Sequence, residues 1–136
     1  MISEKISRQQ TTVLMKLRIK GNSLRLRLSK TDVEKLVVAK YLEERTSFGS
    51  NTFGYALQIK DAGDEVSADF DGGKITVFIP EIFIKGWAVN DVVGFNATKQ
   101  VSEAESLYIL VEKDFKCLTE VAEDQKDNYE NPNKTC

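Results

Sequence analysis

Hydrophobic and polar residues alternate with a period of two over much of the chain. The first alternating stretch runs from Met15 to Leu28 and is interrupted at Gly21-Asn22-Ser23. Strict alternation on both sides of a Gly-Asn turn is typical of a β-hairpin with one face turned to a core. The apolar positions here are aliphatic and the polar positions are cationic. The sequence therefore predicts a hairpin with one apolar and one cationic face.

The spacing of apolar residues becomes helical after residue 30. Val33, Leu36 and Val37 recur on one face of a helix, and Thr31 with Glu34 three residues later has the pattern of a capping box. These residues predict a short helix of about two to three turns.

Further strands follow the helix, and most of them again alternate. They are predicted at residues 42–48, 53–59, 66–70, 75–79, 92–95 and 107–113. Pro80 suits the first turn of a second short helix that continues through Ile82, Phe83 and Trp87. Residues 98–106 are polar and are predicted as a loop.

The hairpin pattern repeats at an offset of 51 residues. The inward positions of the first hairpin all fall on apolar residues of the second, and the turn glycine falls on Gly72. At the same offset Leu57 and Ile59 map to Tyr108 and Leu110. Any two hairpins share alternation, but the matching glycine and helix start favour an internal duplication over chance.

Two ββαββ halves, residues 13–60 and 64–116, follow from this repeat. They predict one α+β domain, mostly antiparallel β, folded as a pseudo-symmetric small barrel with two short helices. Closure of the barrel would remove exposed sheet edges. Residues 1–12 have no period and are predicted as a flexible tail, and residues 117–136 as an acidic C-terminal tail. The domain itself is predicted to span residues 13–116.

One part of this pattern resembles a known fold family. The segment GNSLRLRL at 21–28, followed by a short helix, resembles the start of the swapped-hairpin barrel of AbrB/MazE-type transcription factors and antitoxins. Ile79-Pro80, the short helix predicted after them and the segment VNDVVGF at 89–95 together resemble the part of that barrel where a helix leads into a strand. The resemblance implies nucleic-acid binding and a barrel of two ββαββ units, both supplied here by one chain. Two features depart from this pattern. Ser29 stands where a proline is expected, and residues 37–42 form a longer passage in place of a Gly-rich turn.

The chain as a whole resembles a second group. The segments GNSLRLRL and VEKDFKCL, the latter at 111–118, resemble a small bacterial family without an assigned function. This resemblance supports the domain limits and implies nothing about activity.

Composition excludes several classes of function. The chain contains no histidine, so Ser-His-Asp and Cys-His catalysis and His-ligated metals are excluded. No nucleophile–base set is present, and we predict no catalytic residue, no cofactor and no metal site. No stretch approaches the roughly 20 apolar residues of a membrane span, and the N-terminal residues are not expected to form a secretory signal. Cys117 and Cys136 do not make a disulfide scaffold, so a reducing cytoplasm is the expected compartment.

The net charge of −2 conceals a strong asymmetry along the chain. Residues 1–30 carry eight cations and one anion, whereas residues 101–136 carry four cations and nine anions. Five cations of the first hairpin share one face and form the candidate binding site: Lys16, Arg18, Lys20, Arg25 and Arg27. We refer to them as the basic face.

Three interpretations of the basic face remain open. The cations could pair internally with carboxylates, of which the candidates are Glu44, Asp69, Asp71 and Glu112. They could bind a protein or a small anionic ligand, or they could contact nucleic acid as the AbrB/MazE resemblance implies. The equivalent positions of the second hairpin argue against DNA, because they are Ser67, Asp69, Asp71, Thr76 and Phe78. The favoured function is a non-catalytic binding or regulatory module for a protein or anionic ligand, and the alternative is a nucleic-acid-binding regulator.

The remaining candidates have simpler interpretations. The acidic residues after 117 are predicted to be solvated or to lie over the basic face as a lid. Cys117 is predicted to be a small buried hydrophobe. The aromatic residues are predicted to pack in the core or across strands: Phe53, Tyr55, Phe83, Trp87 and Tyr108.

Overall fold

The computed structural model describes residues 15–115 and 129–130, and this part of the chain contains eight β-strands and one α-helix. Helix α1 spans Lys30–Ala39. The strands are β1 Lys16–Lys20, β2 Ser23–Leu28, β3 Tyr41–Ser47, β4 Thr52–Lys60, β5 Ser67–Asp71, β6 Lys74–Pro80, β7 Gly94–Gln100 and β8 Ser106–Lys113. The domain is therefore of the α+β class and consists mostly of strands, as the sequence predicts.

The strands form two four-stranded sheets. Their orders are β1-β2-β8-β7 and β3-β4-β6-β5. Each sheet contains two antiparallel hairpins, and the two inner strands, β2 with β8 or β4 with β6, run parallel. Each hairpin thus pairs with a hairpin from the other half of the chain. Strand β8 lies inside its sheet, which confirms residues 107–113 as a central strand.

The predicted closed barrel is not formed by these pairings. In the described part of the chain, β1 and β7 are the edges of one sheet, and β3 and β5 are the edges of the other. An edge strand keeps a row of backbone donors and acceptors free of ladder partners. The two sheets are joined through packing and not through a continuous hydrogen-bonded ladder.

The strand positions confirm the 51-residue offset for the first hairpin of each half. Adding 51 to Lys16–Lys20 gives Ser67–Asp71, which is β5, and adding 51 to β2 gives all but the last residue of β6. The turn glycines Gly21 and Gly72 both have positive φ, at 55° and 60°. A left-handed backbone at the same turn position explains why both hairpins carry glycine there.

The offset changes in the second hairpin of each half. Leu24 of β2 pairs with Ile109, whereas Ile75, its counterpart in β6, pairs with Tyr55. Tyr55 and Ile109 therefore occupy equivalent places, and they are 54 residues apart. By the same registers Leu57 corresponds to Val111, and both are fully buried.

The predicted match of Leu57 and Ile59 with Tyr108 and Leu110 is consequently wrong. By register, the passage from β6 to β7 is two residues longer than that from β2 to β3, and the turn from β7 to β8 is one residue longer than that from β3 to β4. The repeat therefore slips by three residues in β8. A slip by an odd number transfers side chains to the opposite face of a sheet. Tyr108 accordingly lies on the outer face and is 39% exposed.

One hydrophobic core joins the two sheets. Buried residues of β2 and β8, such as Leu26 and Ile109, belong to the same cluster as Leu57 and Val77 of the other sheet. Helix α1 contributes Val33 and Leu36, and the turn after β6 contributes Trp87. Removing this apolar surface from water is the main term that stabilises the fold.

The helix begins earlier than predicted. Ser29 is the N-cap: its Oγ accepts from the backbone N–H of Asp32, and the Asp32 carboxylate accepts from the N–H of Ser29. The capping box is therefore Ser29–Asp32 and not Thr31–Glu34. The observed box has the predicted three-residue spacing but begins at Ser29, two residues before Thr31. Strand β2 ends at Leu28, and Ser29 keeps the extended backbone that an N-cap needs.

The second predicted helix is a single 3₁₀ turn. It covers Glu81–Ile84, and Gly86 takes a positive φ of 71° two residues beyond it. A left-handed residue this close to the start prevents a regular helix from continuing. Strand β7 then begins at Gly94, so Val92 and Val93 are exposed connecting residues and not strand residues. The strand continues to Gln100, which shortens the predicted loop at 98–106.

Candidate functional site

The basic face forms on the outer side of β1 and β2, as the alternation predicts. The antiparallel register places Lys16 opposite Arg27 and Arg18 opposite Arg25. Like charges that face one another across a strand pair repel. This face therefore requires anions nearby, either from the protein or from a ligand.

Glu112 supplies most of the internal countercharge. It lies on β8, the parallel neighbour of β2, and its side chain is 11% exposed. Its Oε2 accepts hydrogen bonds from Nε of Arg25 at 2.6 Å and from Nε of Arg27 at 2.8 Å. Lys16 pairs separately with Asp114, at 3.1 Å between Nζ and Oδ2. Internal pairing is thus confirmed for Glu112.

The other three predicted carboxylates do not serve this role. Asp69 and Asp71 lie on β5, at the edge of the other sheet, and in the described chain Glu112 is the carboxylate that both arginines contact. Burial raises the pKa of Glu44 above its ordinary value, and the nearby Asp32 carboxylate raises it further. Glu44 is therefore placed beside another anion.

Arg18 and Lys20 remain exposed, and no ion pair involves them within residues 15–115 and 129–130. Together with Arg25 they line an open cleft of about 230 Å³. The other lining residues include Tyr108 and Leu110, both on the outer face of β8. We call this cavity the basic cleft. It brings three cations and one exposed aromatic ring to the same place.

Local hydrogen bonds fix the end of the basic cleft. The Asn22 side-chain amide donates to the carbonyl of Ser106 at 2.7 Å, and the Tyr108 N–H donates to the carbonyl of Asn22 at 3.1 Å. The Ser23 hydroxyl donates to the Lys20 carbonyl at 2.7 Å. The hairpin turn is thereby attached to the start of β8. The cations are presented from a fixed backbone, which reduces the ordering cost of binding a ligand.

A second cleft occupies the equivalent place in the other sheet. It has a volume of about 260 Å³ and includes Asp71 and Lys74, which correspond to Lys20 and Ser23, and Gly54, which corresponds to Tyr108. The charges in this cleft are mixed. Arg45 donates to Glu43 at 2.7 Å, for example. The same architecture thus gives one cationic cleft with an aromatic wall and one of balanced charge without an aromatic ring at that position.

The basic cleft has the chemistry of an anion-binding surface. Guanidinium groups offer several N–H donors in a planar fork that fits phosphate and carboxylate oxygens. No carboxylate or thiol lines this cleft, and the hydroxyl of Ser23 is engaged with a backbone carbonyl. The described residues hold no group of three Asp, Glu or Cys side chains arranged to bind a metal ion.

The sequence predicted the shared face of the five cations but not the exposed position of Tyr108. That residue was expected to pack across strands, yet it is exposed beside Arg25. Tyr108 lies two residues before Leu110 and four before Glu112, so all three share one face of the strand. This spacing in the sequence could have indicated that Tyr108 lies on the face of Glu112. Trp87 is fully buried and Phe83 partly buried, as expected, and both rings pack against Phe95.

The C-terminal segment returns to the domain at one described point. Tyr129 donates its N–H to the Asp114 carbonyl at 2.8 Å and packs edge-on against Phe115. The buried Lys113 lies over the Tyr129 ring at 4.9 Å, and burial lowers the pKa of this lysine. Cys117, Cys136 and all of the predicted acidic tail except Tyr129 and Glu130 lie outside the described residues.

Among the described residues, no helix has both the length and the apolar character needed to cross a bilayer. In a comparison with protein families, the model described as a family of unknown function (DUF7009) matches residues 15–133. No curated protein and no solved structure matches the chain.

Proposed function

Because the chain belongs to this family of unknown function (DUF7009), we propose its function from the geometry of its surface. We infer that it is a non-catalytic binding module and that the basic cleft holds an anionic ligand bearing phosphate groups. The observation that carries this proposal is the placement of Arg18, Lys20 and Arg25 beside Tyr108 in one open cleft.

The distribution of countercharge supports this site. Glu112 offsets Arg25 and Arg27, and Asp114 offsets Lys16, so the internal pairs lie toward one end of the basic face. Arg18 and Lys20, at the other end, lack a carboxylate partner in the part of the chain described. An anion in the basic cleft would relieve the repulsion between Arg18 and Arg25, which face each other across the strand pair.

The phosphate class of ligand follows from the donors and the ring. Two guanidinium groups and one ammonium match the several oxygens of a phosphate or polyphosphate better than a single carboxylate. The Tyr108 ring adds a flat surface on which a planar group of the ligand can stack. We therefore expect inorganic tripolyphosphate to bind, and nucleoside polyphosphates to bind more tightly.

We also propose that the fold arose by duplication of a ββαββ unit. The matching positions of β1 with β5 and of β2 with β6 support this origin, and so does the exchange of hairpins between the two sheets. The equivalent cleft has Asp71 where the basic cleft has Lys20, and Gly54 where the basic cleft has Tyr108. Anion binding is accordingly assigned to one cleft only.

A nucleic-acid-binding regulator is the second candidate. The exchanged hairpins favour it, because they are the feature shared with the AbrB/MazE-type barrel. The acidic residues Asp69 and Asp71 on the equivalent hairpin oppose it, since they would repel phosphates along an extended duplex. The first candidate therefore has more support.

Calorimetric titration with tripolyphosphate tests the proposal. Arg18→Gln and Lys20→Gln should each weaken binding by about tenfold, because each removes a charge-assisted contact. Arg45→Gln is the matched control, since Arg45 lines the equivalent cleft of balanced charge. Absence of binding by the wild type, or an equal loss in the Arg45 variant, would contradict the proposal.

Salt dependence separates the two candidates. A ligand held by three cations should give a slope of log K against log salt of about −3 at most, whereas a duplex contacted along the whole surface gives a much steeper slope. Titration of a random-sequence DNA duplex and of tripolyphosphate under the same conditions supplies both slopes. Tight DNA binding with the steeper slope would favour the regulator.

A further inference from the structure

The outer face of the sheet that carries the basic cleft continues from β8 onto β7. The register of these two strands places Tyr108 opposite Thr98 and Leu110 opposite Asn96. Alternation turns all four side chains to the outer face, opposite to Ile109, whose side chain is buried in the core. Uncharged side chains therefore border the cations of the basic cleft on this side.

Two of these side chains form an apolar surface in the middle of the sheet. Tyr108 is 39% exposed and Leu110 is partly exposed. They are two residues apart on β8, so about 7 Å separates them along one face of the strand. An aromatic ring with an aliphatic neighbour offers an area on which one nucleobase can stack. We call this pair the stacking platform.

Hydrogen-bonding groups follow on β7, beyond the stacking platform. Asn96 and Thr98 are exposed, and neither side chain bonds to another residue within the part of the chain described. The asparagine amide presents a donor and an acceptor side by side, which is the pairing that fits the N6 amino group and N7 of adenine. The threonine hydroxyl can donate or accept one more bond. These groups are suited to the edge of a base that lies on the platform.

The order of these parts across the sheet is the order of the parts of a nucleotide. The cations lie on β1 and β2, the stacking platform on β8 and the amide on β7. Neighbouring strands lie about 4.8 Å apart, so about 14 Å separates β1 from β7. An extended nucleoside triphosphate can span this distance from its terminal phosphate to the edge of its base.

The equivalent face of the other sheet lacks such a platform. Gly54 and Ala56 stand at the two platform positions, so neither position carries a ring or a long apolar side chain. Arg45 and Glu43 lie opposite them, and these two side chains pair with each other at 2.7 Å. The cations, the apolar surface and the uncommitted amide occur together on one sheet.

We propose that the occupant of the basic cleft is a free adenine nucleoside polyphosphate whose base lies on the stacking platform. This inference rests on the proposed function, because the phosphates are held by Arg18, Lys20 and Arg25. Asn96 contacts the edge of the base and is assigned as a specificity-determining residue. The platform has the area of one base, whereas surfaces for single-stranded nucleic acid use several aromatic side chains in series. A single nucleotide is therefore the occupant that fits.

Calorimetric titration of the full chain with adenosine triphosphate and with tripolyphosphate tests the inference. Adenosine triphosphate should bind at least about tenfold more tightly, because stacking and the base-edge contacts add to the phosphate contacts. Tripolyphosphate that binds, with adenosine triphosphate no tighter, would overturn the inference and leave the proposed function standing. Failure of both ligands to bind would overturn both.

Substitutions at Tyr108 test the stacking platform. Tyr108→Ala should weaken adenosine triphosphate binding about tenfold more than it weakens tripolyphosphate binding, whereas Tyr108→Phe should retain most of the affinity. Phe48→Ala is the matched control, since Phe48 carries a ring that is 72% exposed in the β3–β4 turn and does not line the basic cleft. An equal loss in the Ala and Phe variants of Tyr108 would contradict stacking. Thermal unfolding checks that each variant is folded.

Substitution of Asn96 tests how the base edge is read. Inosine triphosphate has an oxygen in place of the N6 amino group, so the wild type should bind it several-fold more weakly than adenosine triphosphate. Asn96→Ala should abolish this preference, and Asn51→Ala, in the β3–β4 turn, should keep it. Equal affinity of the wild type for the two nucleotides would overturn the role of Asn96. Tighter binding of an oligoadenylate without a 5′ phosphate than of adenosine triphosphate would overturn the choice of a free nucleotide.

Discussion

Nε of Arg25 lies 2.6 Å from Oε2 of Glu112, although 87 residues separate them along the chain. The contact exists because β2 and β8 run side by side as the parallel inner strands of one sheet. It neutralises one end of the basic face and leaves the end near Arg18 and Lys20 exposed. Glu112 therefore bears both on the stability of the sheet and on the anion affinity that we propose for the basic cleft.

Glu112→Gln should affect these two properties in opposite directions. Loss of the carboxylate leaves Arg25 and Arg27 without their shared partner, so the free energy of unfolding should fall by about 1–3 kcal/mol. The same loss raises the positive potential of the basic cleft, so tripolyphosphate should bind more tightly. Urea unfolding and calorimetric titration measure the two effects.

Glu81→Gln is the control for this substitution. Glu81 pairs with Lys40 at 2.7 Å, but both side chains are 46% exposed. Exposed ion pairs contribute little to stability. We expect little change in unfolding and none in anion affinity. If Glu112→Gln weakened tripolyphosphate binding, Glu112 would have to be assigned to the binding site itself.

The neighbours Glu43 and Glu44 should have opposite effects on the pH dependence of stability. The Tyr41 hydroxyl and Arg45 hold the pKa of Glu43 below 4.5, whereas burial raises the pKa of Glu44 above 4.5. A lowered pKa stabilises the fold above pH 4.5, and this contribution is lost as the pH falls through the folded-state pKa. A raised pKa instead imposes a cost above the folded-state value that disappears below pH 4.5.

Glu43→Gln should therefore destabilise the protein at neutral pH, and Glu44→Gln should stabilise it. Both differences from the wild type should shrink as the pH is lowered, the second near pH 4.5 and the first below it. Urea unfolding at several pH values, with all three proteins compared at each pH, measures this. A pH-independent difference would assign the effect of a substitution to packing and not to charge.

Gly94→Ala should be more damaging than Gly54→Ala. A Cβ at Gly94 would overlap the carbonyl oxygen of Val111 and lie 2.8 Å from Cα of Glu112, so the backbone of β8 would have to move. At Gly54 the nearest atom would be 3.5 Å away, which is ordinary contact. We expect Gly94→Ala to cost about 1–3 kcal/mol, as measured by urea unfolding. Equal effects would contradict the close approach of β7 and β8.

Ser29→Ala should destabilise the helix end. It removes the oxygen that accepts from the Asp32 N–H, and the loss of such a cap costs about 1 kcal/mol. Thr31→Ala is the matched comparison, because Thr31 is the residue that the sequence pattern suggested as the cap. Thermal unfolding should show the larger shift for Ser29→Ala, and the reverse order would restore the sequence-based assignment.

Much of the fold could be predicted because strands carry a period-two pattern that needs no tertiary information. The hairpin around Gly21 is visible in this way, and the central strand at 107–113 is visible as a short run of strand-favouring residues. The helix is visible from the helical spacing of Val33, Leu36 and Val37. The register of the second half was not predictable, because it depends on the length of the passage through Gly86 to Gly94. Two extra residues in that passage and a third in the β7–β8 turn exchange the inner and outer faces of β8, which moved Tyr108 to the surface.

The cationic residues of the site could be predicted, but the distribution of their charge could not. Alternation alone places Arg18 and Arg25 on one face. The selection of Glu112 as the countercharge, and not Asp69 or Asp71, depends on which strand becomes the parallel neighbour of β2. Strand order between distant segments is set by the packing of the whole core, and a local pattern does not contain it.

The most direct test of anion binding at the basic cleft is an NMR titration of uniformly ¹⁵N-labelled protein with tripolyphosphate. The proposed function predicts that the largest amide shifts fall around Arg18, Lys20 and Arg25 and at Tyr108, with the equivalent cleft at Asp71 and Lys74 unaffected. Shifts of equal size in both clefts, or shifts centred elsewhere on the domain, would contradict it.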